Sequence, residues 1–298
     1  MSKNWLVSLM ACAGISCISL PAGGQAVLPY VPELDSEKLE LQGLQLLQDA
    51  VQLIRFQQYD LALPRAELAT QLAPTNYDVW FILGSLYIQQ EKIDKGIEVL
   101  EKAENLAPEQ AGVLFRLGSA YFQKGDYKTA QEKLEAGLEI EKNSPDALFD
   151  LGNTYLKLAK FDDAIDAYEE AFAQEATFWP ALNNVGLVEY EQGDLDQAIA
   201  KWESVIEVDG KQAEPQLALA VALYTEGKVN EAIELGKAAL ELDSRYADIK
   251  FLEENLWGEQ LIEDTRKFLS NPQIQEIVSN YKQSTPEEST SEELPPTP

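Results

Sequence analysis

The sequence Leu83-Gly84-Ser85-Leu86-Tyr87 recurs 34 residues later as Leu117-Gly118-Ser119-Ala120-Tyr121, and again 34 residues after that as Leu151-Gly152-Asn153-Thr154-Tyr155. In each copy a leucine precedes the glycine and a tyrosine follows it. A fixed period of this length indicates a repeat architecture, in which each repeat is one supersecondary unit that stacks on the next. The fold is therefore determined by what one period contains.

Small residues extend the same period in both directions. The first row of small residues comprises Ala50, Gly84, Gly118, Gly152, Gly186 and Ala220. A second row, which begins twelve residues later, comprises Ala62, Gly96, Ala130, Ala164, Ala198 and Ala232. Small side chains at fixed positions allow two helices to approach closely. We therefore predict six repeats, spanning roughly Gly43 to Tyr246.

Each period has the pattern of two helices. Apolar residues fall at helical spacing from Asp78 to Gln89, and a second helix is predicted from about Asp94 to Leu106. Turns such as Gly125-Asp126 separate the helices, because glycine suits the C-terminal cap of one helix and aspartate suits the N-cap of the next. Each repeat is therefore predicted to be helix, tight turn, helix.

The second repeat, with Trp80-x-x-Leu83-Gly84-x-x-Tyr87 followed by Gly96 and Pro108, resembles the tetratricopeptide repeat (TPR). Its neighbours share the positions Gly118, Tyr121, Ala130, Gly152, Tyr155 and Ala164. The outer repeats depart from the pattern, since Ala50 and Ala220 replace glycine and Glu189 stands where tyrosine is usual. The resemblance implies an all-α fold, a right-handed superhelical solenoid of about six TPR repeats with C-terminal capping helices. The predicted repeats lie near residues 43–76, 77–110, 111–144, 145–178, 179–212 and 213–246.

The N-terminal residues have a different composition. Residues 5–20 are apolar apart from their serines, and residues 21–26 resemble a small-residue cleavage region. We predict that residues 1–26 are a signal peptide or an N-terminal membrane anchor, followed by a linker over residues 27–42. A third alternative is lipidation of Cys12, because the sequence from Leu9 to Cys12 is similar to a lipoprotein box.

The period is lost after Tyr246, but an amphipathic pattern continues. We predict C-terminal capping helices over residues 247–283 and a disordered acidic tail rich in Pro, Ser and Thr over residues 284–298.

The composition excludes several classes of function. The 298 residues include 23 Lys and Arg against 51 Asp and Glu, for a net charge of −28, and no segment gathers basic residues into a patch. Nucleic acid is therefore not an expected partner. The chain has no histidine, and both cysteines, Cys12 and Cys17, lie in the leader. The repeats thus lack a thiol nucleophile, a Cys/His metal site and a Ser-His-Asp triad, so we predict a protein that is not an enzyme, with no catalytic residue, cofactor or metal.

The TPR resemblance also implies a binding site, because in this family the first helix of each repeat lines a concave groove. The positions carried over to this chain are Phe81, Phe115, Arg116, Phe122, Phe149, Asn153, Asn183, Asn184, Tyr190 and Tyr224. They predict an apolar, aromatic peptide-binding groove whose asparagines hydrogen-bond a peptide backbone. Phenylalanines at a regular spacing are equally typical of core packing between stacked helices, and both interpretations stay open. Chaperone-binding TPR domains use a paired basic clamp, which is absent here, so the acidic tails of Hsp70 or Hsp90 are not expected partners.

We therefore expect a non-catalytic scaffold or adaptor at a membrane, which binds a peptide or helix of another protein and assists the assembly or stabilisation of a complex. The alternatives are a periplasmic or lipoprotein-type TPR factor of envelope or pilus assembly, and a regulatory subunit of an enzyme complex. Taken together, the leader, the acidic solenoid and the Pro/Glu tail are similar to cyanobacterial membrane-associated TPR proteins, including the type that interacts with protochlorophyllide oxidoreductase and the photosystem assembly factors. That resemblance implies a thylakoid or plasma-membrane location and a role in the biogenesis of photosynthetic pigment-protein complexes. A cleaved leader would instead imply export to the periplasm.

Overall fold

The computed structural model describes residues 35–284, and every element within this range is helical. The predicted all-α fold is confirmed. The predicted leader with Cys12, and the tail beyond Ser284, lie outside the described residues.

Six consecutive helix pairs make up most of the described chain. Their bounds are α1 Ser36–Arg55, α2 Tyr59–Leu72, α3 Tyr77–Gln89, α4 Ile93–Leu106, α5 Ala111–Lys124, α6 Tyr127–Ile140, α7 Pro145–Lys157, α8 Phe161–Gln174, α9 Trp179–Gln192, α10 Leu195–Val208, α11 Ala213–Thr225 and α12 Val229–Leu242. From α3 onward, the first helix of each pair begins at the first residue of a predicted repeat. Helix α1 begins earlier, within the residues assigned to the linker, because residues 36–42 contain good helix formers with Glu37 in the first turn.

Four shorter elements follow the pairs. They are a 3-10 helix Ser244–Ala247, then α13 Ile249–Glu254, α14 Glu259–Leu269 and α15 Pro272–Ser284. Helices α13 and α14 lie within residues 247–283, which the sequence pattern assigns to capping helices, whereas the 3-10 helix begins inside the predicted sixth repeat and α15 ends one residue later, at Ser284.

The first row of small residues packs against large side chains of the second helix in the same repeat. A Cβ atom on Gly84 would lie 2.6 Å from Leu100, and one on Gly118 would lie 2.5 Å from Leu134. The partners are larger further along, since Gly152 faces Tyr168 and Gly186 faces Trp202, both at 2.5 Å. In the outer repeats Ala50 and Ala220 correspond instead to small partners, Ala66 and Gly236. Each small residue is therefore a packing device matched to its own partner.

The repeat tyrosines connect each pair to the previous one. The hydroxyl of Tyr87 donates to Glu67 at 2.6 Å, and Tyr121 donates to Glu101 at 2.7 Å. Tyr155 makes the third bond of this series, to Glu135 at 2.8 Å. In the fifth repeat Glu189 replaces the tyrosine, and Glu169 instead accepts a hydrogen bond from Lys201 at 2.6 Å. The departure from the TPR pattern at this position is thus compensated by an ion pair.

Candidate protein-binding face

The first-helix face is the row formed by Phe81, Phe115, Phe149, Asn183 and Leu217, together with the residues beside them on the same helices. On α3, α5 and α7 the three phenylalanines are half-buried. On α9 and α11, Asn183 is 1% exposed and Leu217 is fully buried. The face therefore divides into an open part on α3, α5 and α7 and a covered part on α9 and α11.

The phenylalanines of the open part pack between helices and also reach the surface. The Phe149 ring makes an edge contact with Phe178 at 5.3 Å and a tilted contact with Tyr168 at 5.7 Å. The Phe115 ring lies where a side chain on Gly137 would stand, 2.5 Å from its Cβ position. These phenylalanines therefore fit both interpretations, core packing and peptide contact, because each ring has a packed side and an accessible side.

Two further aromatic residues occupy different parts of this face. Phe122, also half-buried, lies in the open part and stacks at a tilt on Tyr127 with ring centroids 5.3 Å apart. Tyr224 lies on α11, edge-on to Phe268 of α14 at 5.4 Å.

Polar groups connect the helices of the open part. Arg116 donates from Nη2 to the carbonyl of Ser85 at 3.3 Å, and its buried Nε has no hydrogen-bond partner within the described residues. The hydroxyl of Ser119 donates to Asp150. Burial raises the pKa of the Asp150 carboxyl and lowers the pKa of the Arg116 guanidinium. The open part thus combines aromatic surface with one half-buried cation and one largely buried carboxyl.

Asn153 connects the open part to the covered part. Its Oδ1 accepts hydrogen bonds from the Tyr168 hydroxyl at 2.7 Å and from Asn184 Nδ2 at 3.1 Å. The side-chain oxygen of Asn153 therefore already accepts two hydrogen bonds within the protein, which leaves it less able to accept one from a peptide backbone.

The C-terminal segment, residues 244–269, covers the other part of the face. Helix α9 is buried without interruption from Ala181 to Val188, and α11 is buried from Ala213 to Leu223. Leu261 and Phe268 of α14 are fully buried in the same apolar cluster as α11. A side chain on Gly236 would meet the Phe268 ring at 2.4 Å, so Phe268 fills the space that this small residue leaves.

Helix α14 is held on the face by polar contacts at two points. The Glu191 carboxylate accepts the backbone N–H groups of Gln260 at 3.1 Å and of Leu261 at 2.9 Å, in the first turn of α14. Gly258 allows this approach, because a Cβ at this residue would lie 2.1 Å from Glu191. Further along α14, Asp264 accepts a hydrogen bond from the Tyr190 hydroxyl at 2.9 Å.

A buried glutamate holds the loop before α14. Glu214 accepts hydrogen bonds from Trp257 Nε1 at 3.0 Å and from the Tyr246 hydroxyl at 3.4 Å. It is 9% exposed, and burial raises the pKa of its carboxyl. Sequence reasoning missed Glu214, Glu191 and Asp264, because nothing in the sequence shows that these residues meet the C-terminal segment.

The covered part corrects one prediction. Asn183, Asn184 and Tyr190 are all buried, so they do not line an open groove. Asn183 and Asn184 are hydrogen-bonded to each other, and Asn184 also to Asn153 of α7, whereas Tyr190 bonds to Asp264 of the C-terminal segment, which folds back over α9 and α11. A signal for this was present, because α11 is apolar or small on nearly every face from Leu217 to Leu223, and a helix that is apolar all round is a buried helix.

Residues 35–284 lack two further kinds of feature. No group of His, Cys, Asp or Glu side chains in this range is placed to hold a metal ion. No helix in the range is both long enough and apolar enough to cross a membrane.

Family models match most of the repeat region. A model described as TPR repeat matches residues 84–125 and 118–159, and a model described as tetratricopeptide repeat matches residues 149–213 and 184–247. A third model, ChAPs (Chs5p-Arf1p-binding proteins), matches residues 25–104. No curated protein sequence matches the chain.

Solved structures share the fold. MamA is 25% identical, with 55% of this chain and 96% of that chain covered and a TM-score of 0.51. PilF of Pseudomonas aeruginosa is 15% identical, with 74% and 98% covered and a TM-score of 0.60. YrrB, described as a TPR protein with an unusual peptide-binding site, is 18% identical, with 68% and 97% covered and a TM-score of 0.51. The last two likenesses show the fold alone.

These matches settle the family but leave the more specific cyanobacterial resemblance a prediction. The repeat models cover more than half of the chain without a gap between residues 84 and 247, and they indicate a scaffold for protein–protein interaction. The chain belongs to the tetratricopeptide repeat family.

Proposed function

We propose that this protein is a non-catalytic adaptor that binds a helix or peptide of another protein on the open part of its first-helix face. The observation that carries the proposal is the row of Phe81, Phe115 and Phe149, which stay half-buried on three successive first helices, whereas the equivalent residues of α9 and α11 are covered. The match of residues 25–104 to a family named for protein binding is consistent with a protein partner.

The covered part indicates what kind of partner suits this face. Helix α14 of the chain itself lies on α9 and α11, with apolar side chains against the face and its first turn at Glu191. A partner helix on α3, α5 and α7 would make equivalent contacts through the phenylalanines, with a carboxylate directed at Arg116. A few aromatic anchors dominate the affinity of such interfaces.

Substitution of the anchors tests the proposal. Phe115→Ala and Phe149→Ala should each weaken partner binding about tenfold or more. Because both rings also pack between helices, melting temperature and far-UV circular dichroism are measured in parallel. Phe56→Ala, at a residue that is 74% exposed and lies in the turn after α1, is the matched control. Unchanged binding by folded Phe115→Ala and Phe149→Ala proteins would refute the proposed face.

The membrane location is part of the same proposal and rests on the composition of residues 1–26. We propose that this segment places the repeats at a thylakoid or plasma membrane, where the adaptor assists the assembly or stabilisation of a protein complex. Fractionation of cells that express the full chain, compared with a chain lacking residues 1–26, tests this location. Equal recovery of both proteins in the membrane pellet would refute it, and mass spectrometry of the mature N-terminus distinguishes an anchor from cleavage or lipidation.

A further inference from the structure

A second surface lies on the second helices of the last two repeats. It is a groove of about 720 Å³ between α10 and α12, floored in part by leucines of α11. Ile206 and Leu235 are partly exposed along it. Its rim carries four exposed glutamates, Glu203 and Glu207 on one wall and Glu231 and Glu234 on the other.

At two places in the chain a lysine occupies the equivalent position and bridges neighbouring second helices, whereas α4 and α8 carry Val99 and Ala167 there. Lys133 of α6 reaches back to Glu104 of α4 at 2.6 Å. One repeat period before Leu235 stands Lys201 of α10, which reaches back to Glu169 of α8 at 2.6 Å. Each lysine neutralises a glutamate and bridges two repeats.

The last pair of second helices lacks this bridge. In α12 the position of the lysine is taken by Leu235, and Glu203 stands at the position equivalent to Glu169. Among residues 35–284, no Lys or Arg lines the groove. Lys228, the cation that interacts electrostatically with Glu203 and Glu231, is itself paired with Glu226 at 2.9 Å. The groove therefore presents apolar surface between two walls of carboxylates without the cation that the chain supplies elsewhere.

We propose that this groove binds a basic amphipathic helix of a partner protein. An apolar stripe on such a helix would lie on Ile206 and Leu235, and lysines or arginines on both sides of the stripe would reach the glutamates of the two walls. An amphipathic helix carries this arrangement of residues, and helix-in-groove binding uses it. The surface is separate from the first-helix face, so the two sites can be occupied by different partners.

Binding of a synthetic peptide to the full chain tests the proposal. The probe is a fluorescein-labelled amphipathic helix of leucine and lysine, and its counterpart has glutamine in place of lysine. Fluorescence anisotropy should show saturable binding of the lysine peptide, weakened by salt and absent for the glutamine peptide. Failure of the lysine peptide to bind would overturn the proposal.

Paired variants separate the groove from the general acidity of the chain. Leu235→Lys installs the lysine found in α6 and α10, and should weaken binding about tenfold or more. Leu106→Lys makes the same change of charge at an exposed leucine of α4 and should leave binding nearly unchanged. Equal affinities of the two variants would overturn the proposal.

Carbodiimide cross-linking provides an independent measurement. Peptide lysines should become joined to the glutamates of the groove, identified by mass spectrometry of the digested complex. Cross-links spread evenly over the second helices, or concentrated on the first-helix face, would overturn the proposal.

Discussion

Replacement of Gly186 by alanine is expected to destabilise this protein, although the same change stabilises most helices. Gly186 lies inside α9, where a Cβ atom would lie 2.5 Å from Trp202 Nε1. Trp202 is fully buried and donates a hydrogen bond to the carbonyl of Asn183 at 3.2 Å, so its ring cannot move aside without losing contacts.

The size of the effect follows from two opposing contributions. Alanine in a helix interior is favoured over glycine by about 1 kcal/mol. Overpacking a close-packed core costs about 1–3 kcal/mol, and the rigid partner places Gly186→Ala toward the upper end. We therefore expect a net loss of about 1–2 kcal/mol in the free energy of unfolding.

A control variant in the same protein should change the free energy of unfolding in the opposite direction. Gly112 of α5 is exposed, and a Cβ atom there would have no neighbour within 4 Å. Gly112→Ala should raise the free energy of unfolding by about 0.4–1 kcal/mol, because it removes conformational freedom from the unfolded chain without crowding the folded one.

Urea unfolding followed by far-UV circular dichroism measures both variants, with the slope of each transition checked for constancy. A double-mutant cycle with Trp202→Ala then isolates the contact. Trp202→Ala alone should cost about 3–5 kcal/mol, and adding Gly186→Ala to it should cost nothing further. The reasoning would be refuted if Gly186→Ala were as stable as the wild type, or if the two substitutions were additive.

Three further predictions concern polar contacts. Glu191→Ala removes the acceptor of two backbone N–H groups in α14. We expect the free energy of unfolding to fall by about 1–3 kcal/mol and amide hydrogen exchange in that helix to become faster. Unchanged exchange would contradict the role of Glu191 in holding α14. Burial raises the pKa of the Glu214 carboxyl above its unfolded-state value of about 4.3. Below that value the carboxyl is protonated in both states and its ionisation does not reduce stability, whereas above the folded-state pKa the loss of stability is complete. The stability of the wild type relative to Glu214→Gln should therefore fall as pH rises through this interval. If the urea midpoints of the two proteins changed with pH in parallel, this prediction would be wrong. Asp126→Ala should lower the free energy of unfolding by about 1 kcal/mol, because the Asp126 side chain caps α6 by accepting the Thr129 N–H at 3.2 Å. Asp194→Ala should cost less, because the Asp194 side chain makes no cap hydrogen bond. Equal urea midpoints of the two variants would refute the capping argument.

Much of the fold could be predicted because its signals are local. Helical periodicity and turn residues predict α3 and α4 closely, and Gly125 does adopt the left-handed conformation, with φ of +85°, that the turn requires. The row of small residues predicts the repeats because each close approach recurs within one repeat. The first helix was predicted to begin too late, since residues 36–42 carry no repeat signature although they favour helix.

Less of the candidate site could be predicted. The register of Phe81, Phe115 and Phe149 follows from the period, and all three reach the surface in part. The burial of Asn183, Asn184 and Tyr190 does not follow from it, because it depends on contacts between helices and, for Tyr190, on a segment that lies outside the repeats.

The sequence by itself determined the repeat, its helix pairs and the row of residues on each helix face, because these depend on residues close together in the chain. The tertiary structure alone decided which part of the first-helix face stays open and which side chains line the groove between α10 and α12. Those outcomes depend on contacts between distant residues, such as Tyr190 with Asp264, 74 positions apart, and on side chains that meet only when one repeat is stacked on the next.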